Sequence, residues 1–430
     1  MTFFSPAGFN LSARLLQVLT PEQGRLLRSV ADEAVRQHLP LYMVGGFVRD
    51  LLLGQQGVDL DLVVEGDAIG FARAVAVKHG GKVKVHSRFK TAQWFPPRAT
   101  DLPEFVDFIS ARSESYKHPA ALPTVRTGGI SDDLRRRDFT INSLAIRLDG
   151  GHFGELRDDL GGQEDLQAGL VRVLHPNSFV DDPTRLFRTV RYEQRYGFQI
   201  TPESLALIPG ALPLISHLSA ERLRHEMDMI LVEENAAAML KRLVELGLLA
   251  LVHPGLDWKP ATQTRFVNGM AGAQALEHPP SRLVLGWALW LMDIPLPGLK
   301  SIEKRLHFQS GLRDILMAAS ALSVEVNSLA GNNPSRCVAI LDEFPLKAVQ
   351  SVSLVLPAGP AWQELHDYLE TWRHVKPRAT GHDLKKHGLP PGPVYQSILT
   401  CLRAAWLDGD IKTVAEETDL LEKLIRAELD

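Results

Sequence analysis

Asp59 and Asp61 alternate with Val58, Leu60 and Leu62 in the run VDLDLVV. On a strand, residues two apart share a face, so both carboxylates project together while the apolar residues meet a core. Neighbouring carboxylates repel and raise each other's pKa unless a cation lies between them. A hard ion such as Mg²⁺ takes oxygen ligands and keeps positions open for substrate phosphates. Two such ions can activate an attacking hydroxyl and stabilise a leaving phosphate oxygen. Asp107, inside the apolar run FVDFI, is the natural third acid, because an unpaired charge in an apolar strand is costly.

Just upstream stand Gly45, Gly46 and Arg49. Two residues without Cβ atoms let backbone approach a ligand. A helix starting beside them offers N–H groups to a phosphate, and the arginine adds a cationic fork. Together these residues describe a site for a nucleoside triphosphate and metal. Each part also has a plain reading. Gly-Gly marks ordinary turns, D-x-D occurs on solvated edge strands, and Asp107 could be an edge acid facing water.

The elements that must hold these groups follow from periodicity. Leu41–Val44 reads as a buried strand, Phe47–Leu53 as a short helix, Gly54–Gly57 as a turn and Val58–Val64 as a second strand. Helices are expected over 21–38 and 68–79, and strands over 82–85, 91–95 and 105–109. Residues 110–131 show no clear period and read as a mobile loop, a lid candidate. In DDLRRRDFTINSLAIR, Asp138 and Asn142 enter an apolar run, and buried polar groups need partners that a ribose or phosphate could supply. Three adjacent arginines alone would usually be a solvated face.

The α/β part ends near residue 162, and beyond about 175 the chain reads almost wholly helical. Asp181 and Asp182 before Pro183 read as a helix start. Arg185, Arg188, Arg191 and Arg195 then share one helical face, with Leu186, Phe187 and Val190 on another. That stripe is either solvated or matched to an anionic partner. Ser219 is a candidate cap for ERLRHEMDMIL, where Arg222 and Glu226 form an i,i+4 pair.

Composition sets the bounds. At 430 residues several domains are expected, and a net charge of −4 confines any nucleic-acid binding to local patches. Two cysteines imply no disulfide framework or disulfide-linked partner and fit a reducing cytoplasm. No apolar run reaches transmembrane length, so no membrane partner is expected.

With these pieces assembled, the chain resembles a class II tRNA nucleotidyltransferase, the family that includes bacterial poly(A) polymerases. VGGFVRDLLLG with DLDLVV, RRRDFTINSLA, DDPTRLFRTVRYEQRYGF and ERLRHE carry the resemblance in order, and TGHDLKKHGLPPGPVYQSIL adds a C-terminal match. The resemblance implies an α+β fold: a nucleotidyltransferase-type mixed-sheet head over 1–162, then an all-α neck over 163–255 and a helical body and tail over 256–430 that bind tRNA. It implies template-independent addition of CCA, or of its terminal A alone, to the tRNA 3′ end from CTP and ATP. Asp59 and Asp61 would bind Mg²⁺, as two ions, with Asp107 as the third catalytic acid. Gly45, Gly46 and Arg49 would meet the triphosphate, and Arg137 and Asp138 the sugar and phosphates. Asp182 and Arg185 would read the base, and Arg188 and Arg191 would hold phosphates. Asn142, Glu221, Arg222 and Glu226 would support the site. Loop 110–131 would help switch from C to A, and its retention argues against CC-only addition. Asp181 stands where many members carry Glu and is not counted as a ligand. The Asp-Asp-Pro spelling leans toward an A-adding specialist. A poly(A) polymerase, or a catalytically silent RNA-binding protein of the same fold, are the alternatives.

Overall fold

The structure is a computed structural model that describes residues 10–55, 60–97, 101–116, 118–121 and 123–429. Asp59 lies outside the described residues. The chain packs as two compact units, residues 1–219 with 245–251 and residues 220–244 with 252–430.

The first unit is built on a seven-stranded mixed sheet. Its strands are β1 (Leu41–Val44), β2 (Asp61–Val64), β3 (Lys82–His86), β4 (Thr91–Phe95), β5 (Val106–Ser110), β8 (Leu144–Arg147) and β9 (Leu156–Asp158), in the order β3-β4-β5-β2-β1-β8-β9. β1 is buried along its whole length, as its unbroken LYMV run requires for a central strand. β2 and β5 are parallel, and the other sheet neighbours are antiparallel. The crossover between β2 and β5 carries helix α4 (Ala68–His79) and then β3 and β4.

Around the sheet lie α1 (Ser12–Val18), α2 (Pro21–Arg36), α3 (Gly46–Leu53), α4 (Ala68–His79), α5 (Ile130–Arg135), α6 (Gly162–Ala168), α7 (Ser178–Asp181), α8 (Thr184–Tyr196) and α9 (Pro202–Ala211). Local sequence sets these ends. Thr20 and Gln23 close a capping box on α2, with Pro21 in the first turn. Asp67 caps α4 by accepting from the Ile69 N–H, and Gly80, at φ +75°, ends it.

Of the expected turn over 54–57 and strand over 58–64, residues 56–59 lie outside the described residues; the described strand is β2, Asp61–Val64, and the Asp107 N–H donates to the Leu60 carbonyl at 3.3 Å. Two other expectations are corrected. Residues 110–131 are not without regular structure. Arg112–Ser115 (β6) and Thr124–Thr127 (β7) pair as an antiparallel ribbon before α5 starts at Ile130. Polar alternation in so short a ribbon left no periodic signal. The Asp181–Asp182–Pro183 start is displaced: Asp181 ends α7, and α8 begins at Thr184. Beyond residue 175 the described chain is almost wholly helical, as expected, and Gln199–Ile200 pairs with Leu170–Val171 as a short parallel bridge flanking α8.

The second unit is helical and opens with α10 (Ala220–Leu231). One core stacks Trp287 on Trp290 with ring centroids 5.4 Å apart, and Trp258 and Phe308 pack edge-on against them. The Trp287 indole donates to Asp228 at 2.7 Å, which gives a buried N–H its acceptor. Near the C-terminus Leu384, Leu389, Ile398, Leu402, Leu421 and Ile425 form a separate cluster. No helix among the described residues is long and apolar enough to cross a membrane.

Candidate active site

Two of the three expected acids, Asp61 and Asp107, stand side by side at one end of the sheet. Asp61 opens β2, and its registered partner across the parallel ladder is Asp107 on β5. Registered residues on adjacent strands project to the same face, with backbones about 4.8 Å apart. Both acids are half-buried. Extending the β1–β2 register by one pair sets Val44, the last residue of β1, beside Asp61. The acid pair and the glycine turn therefore share one corner. Two carboxylates so close fit a hard divalent cation, which would relieve their repulsion. Among the described residues no cluster of three or more His, Cys, Asp or Glu side chains is arranged to hold a metal.

Gly45 turns the chain from β1 into α3 at φ +69° and ψ −129°, a conformation suited to glycine alone. Its N–H donates to the Leu144 carbonyl of β8 at 3.2 Å. A Cβ built there would lie 2.6 Å from Nη1 of Arg137, so the glycine makes room for that guanidinium. A Cβ on Gly46 would lie 3.4 Å from Nη2 of Arg49.

Arg49 is 4% exposed. Its Nε donates to Asp50 at 2.9 Å and its Nη1 to the Asn142 side-chain oxygen at 2.5 Å. Its guanidinium carbon sits 5.1 Å from the centre of the Tyr192 ring and 4.8 Å from that of Tyr196. Asn142 in turn donates to Asp138 Oδ1 at 2.9 Å, and Arg188 pairs with Asp138 Oδ2 at 2.7 Å. One chain of hydrogen bonds thus runs Asp50–Arg49–Asn142–Asp138, and the Asp138–Arg188 ion pair extends it from α3 through the turn at 140–142 to α8. Asp138 is 6% exposed and also accepts from the Phe139 N–H. Burial alone would push its carboxyl up, but Arg188, Asn142, Arg185 and the Phe139 N–H hold it below the usual aspartate range. Asp138 is therefore an internal organiser in this structure, with its oxygens turned to protein groups.

A second acid, Asp133 on α5, is fully buried. It takes Arg136 at 2.5 Å on one oxygen and Arg137 at 2.9 Å on the other. Burial opposes its charge, yet these two arginines hold its pKa low. Arg136 also reaches Glu114 on β6 at 3.2 Å. Glu114 accepts the Tyr116 hydroxyl at 3.1 Å and pairs with Arg112 at 3.1 Å, so the ribbon is bonded to the arginine segment.

Helix α8 is differently arranged from a solvated stripe. Arg185 and Arg191 are buried, at 5% and 8% exposure. Arg185 donates from Nη1 to the Ser178 hydroxyl at 2.6 Å and from Nη2 to the Arg136 carbonyl at 2.8 Å. Asp182 Oδ1 accepts from the Thr184 N–H at 3.0 Å and from its hydroxyl at 2.6 Å, so this acid orients the start of α8. A cavity of about 260 Å³ lies between the ribbon and this region, lined in part by Tyr116, Arg136, His175, Asp181 and Arg185. Asp181 faces it with His175 Nε2 at 3.9 Å.

The first unit thus gathers Gly45, Gly46, Arg49, Asn142, Asp138 and Arg188 in one network. It holds Asp61 beside Asp107 and fixes Arg185 against Ser178. Glu221, Arg222 and Glu226 lie in the second unit, on α10, with Glu226 buried and Glu221 exposed. The sequence reading missed Asp50, Glu114, Asp133, Ser178, Tyr192 and Tyr196. Spacing carried a signal for some: Arg188, Tyr192 and Tyr196 succeed one another at i,i+4, and Asp133 precedes Arg136 and Arg137 by three and four residues.

This corner, with acids on adjacent strands beside a glycine turn and an arginine-bearing helix, defines a nucleotidyl-transferring head. The model of the poly(A) polymerase head domain matches residues 41–172, and that of a probable RNA- and SrmB-binding site of polymerase A matches residues 197–259. An A-adding tRNA nucleotidyltransferase of Halalkalibacterium halodurans is 33% identical over 94% of this chain and 93% of its own length. A CC-adding tRNA nucleotidyltransferase of Deinococcus radiodurans is 38% identical over 90% of each. A solved CCA-adding enzyme in an apo form superposes with a TM-score of 0.80 at 28% identity, covering 98% of this chain and all of that one. The chain belongs to the tRNA nucleotidyltransferase and poly(A) polymerase family, and it is an enzyme.

Proposed function

We propose that this enzyme transfers AMP from ATP to the 3′ hydroxyl of a tRNA that already ends in CC, without a nucleic-acid template. The bond from that oxygen to the α-phosphorus forms as the bond to the bridging β-phosphate oxygen breaks. Pyrophosphate leaves, and the hydroxyl proton goes to solvent. The observation that carries the reading is the single bonded network that joins Arg49 at the glycine turn to α8, the helix that bears Arg185 and whose start Asp182 orients.

Each group has a task in this reading. Asp61 and Asp107, with Asp59, hold Mg²⁺, which would lower the hydroxyl's pKa and neutralise charge on the transferring phosphate. Gly45 and Gly46 let the triphosphate approach the start of α3, and Arg49 and Arg137 meet it there. Asp182 and Arg185 supply an acceptor and a forked donor for the polar edge of the base. Ser178 and the Arg136 carbonyl hold Arg185 in one orientation, which is what discrimination by a long side chain requires. The helical remainder, as neck, body and tail, holds the tRNA by shape and backbone charge.

The A-adding assignment is supported by the relative of that name, which aligns over nearly the full length of both chains. Full CCA addition is the second reading, favoured by the structural likeness to a CCA-adding enzyme. Three tRNA transcripts, ending before the first C, after CC and after CCA, incubated with CTP or ATP separately, decide between them. Incorporation of A into the CC transcript alone is expected. C incorporation into the shortest transcript together with A incorporation into the CC transcript would establish the second reading, C incorporation without A would overturn both, and so would no incorporation anywhere.

A further inference from the structure

Arg49 is held unusually completely for a residue that must meet a mobile substrate. Nε and Nη1 are taken by Asp50 and Asn142, and both ring faces available to its guanidinium come from α8. The Tyr192 and Tyr196 rings stack 16° from parallel with centroids 6.1 Å apart. Cation–aromatic attraction of this kind is strongest where water is excluded. The Tyr196 hydroxyl donates to Asp50 Oδ1 at 3.0 Å, the same oxygen that takes Arg49 Nε. Tyr196 therefore acts on Arg49 twice, through its ring and through Asp50. Burial pushes the Tyr196 phenol well above its ordinary pKa, so it stays a donor across the working pH range. What remains of Arg49 is Nη2. It has no hydrogen-bond partner among the described residues, and it lies 3.4 Å from where a Cβ on Gly46 would stand. That leaves the Nη2 amino group, with its two N–H donors, beside the turn.

We propose that Tyr196, together with Tyr192, is a positioning residue for nucleotide binding. From the far end of the selecting helix it holds Arg49 so that Nη2 faces the triphosphate at the Gly45–Gly46 turn. The proposal rests on the reading of Arg49 as a triphosphate contact. It makes α8 serve both ends of the nucleotide: Asp182 stands just before it and Arg185 in its first turn, and its last two turns bear the residues that aim the phosphate arginine. Neither tyrosine touches the nucleotide in this scheme.

The test compares Tyr196→Phe, which keeps the ring and loses the hydroxyl, with Tyr196→Leu, which loses both. The readouts are KM for ATP, KM for tRNA, and inhibition constants of adenosine and of a non-hydrolysable ATP analogue. Loss of one hydrogen bond to a charged group predicts a rise of about threefold to tenfold in KM for ATP in Tyr196→Phe. Loss of the ring as well predicts a larger rise in Tyr196→Leu. KM for tRNA and inhibition by adenosine stay at wild-type values, because neither involves the triphosphate. In an Arg49→Lys background, Tyr196→Phe adds less than about twofold, since the group it positions is gone. A purely structural role would weaken tRNA and adenosine along with ATP, and that outcome overturns the proposal. So does an unchanged KM for ATP in Tyr196→Phe and Tyr196→Leu enzymes that fold normally. If the wild-type enzyme binds adenosine and ATP equally well, the triphosphate reading itself fails, and the proposal falls with it.

Discussion

The guanidinium of Arg137 occupies the space that a side chain on Gly45 would fill, with Nη1 2.6 Å from the position of that Cβ. The turn and the arginine segment are thus fitted to one another, although 91 residues separate them (137 − 45 − 1 = 91). Gly45→Ala must adopt φ +69° with a Cβ, a backbone state that costs an L-residue about 1–3 kcal/mol. It must also push Arg137 aside. Chemical denaturation should register a loss of about that size. Turnover should fall further than stability accounts for, because Arg137 leaves the site. A Gly45→Ala enzyme with wild-type turnover would show that this fit is unimportant to catalysis.

Asp61 and Asp107 are registered partners on one face of the sheet. Asp61→Asn and Asp107→Asn keep the side-chain shape and should still fold. Each should lose transfer activity by at least about 100-fold, the scale of removing electrostatic stabilisation of a transition state. Chelation of divalent ions should abolish activity in the wild type, and Mg²⁺ should restore it. Retained activity in Asp107→Asn would remove that residue from the metal-binding set.

Acid sensitivity follows from Asp133 and Asp138. Both have folded-state pKa values held below the ordinary aspartate value of about 3.9. A depressed carboxyl contributes stability that is fully present above its unfolded pKa and is lost as pH falls through the folded one. Stability should therefore be insensitive to these two groups near neutrality and decline steeply below about pH 4. Asp133→Asn should flatten that decline, while lowering stability at pH 7 because Arg136 and Arg137 lose their buried counter-charge. Denaturation midpoints of wild type and variant at pH 7 and pH 3.5 test it. Parallel losses at the two pH values would show that Asp133 does not couple folding to protons here.

Much of this architecture follows from local order along the chain. Periodicity alone sets α2, α4, β3, β4 and β5, because helical and strand faces repeat at 3.6 and 2 residues and the caps at Thr20, Asp67 and Gly80 lie next to what they cap. The ordered motifs set the family and singled out Asp61, Gly45, Arg49, Asp182 and Arg185 as candidate site residues, and the apolar run FVDFI added Asp107. Tertiary structure alone decided where those groups stand and what they touch. Which acid stands beside Asp61 depends on strand register, a pairing between segments 46 residues apart (107 − 61 = 46). Whether an arginine is a solvated charge or a clamped one depends on what surrounds it in space. The same repeating spacing that reads as a stripe on α8 leaves Arg185 buried against Ser178 and Arg188 paired with Asp138. Residues 112–127 looked structureless because their order comes from cross-strand bonds and from Glu114 reaching Arg136, and no local pattern records a partner across space.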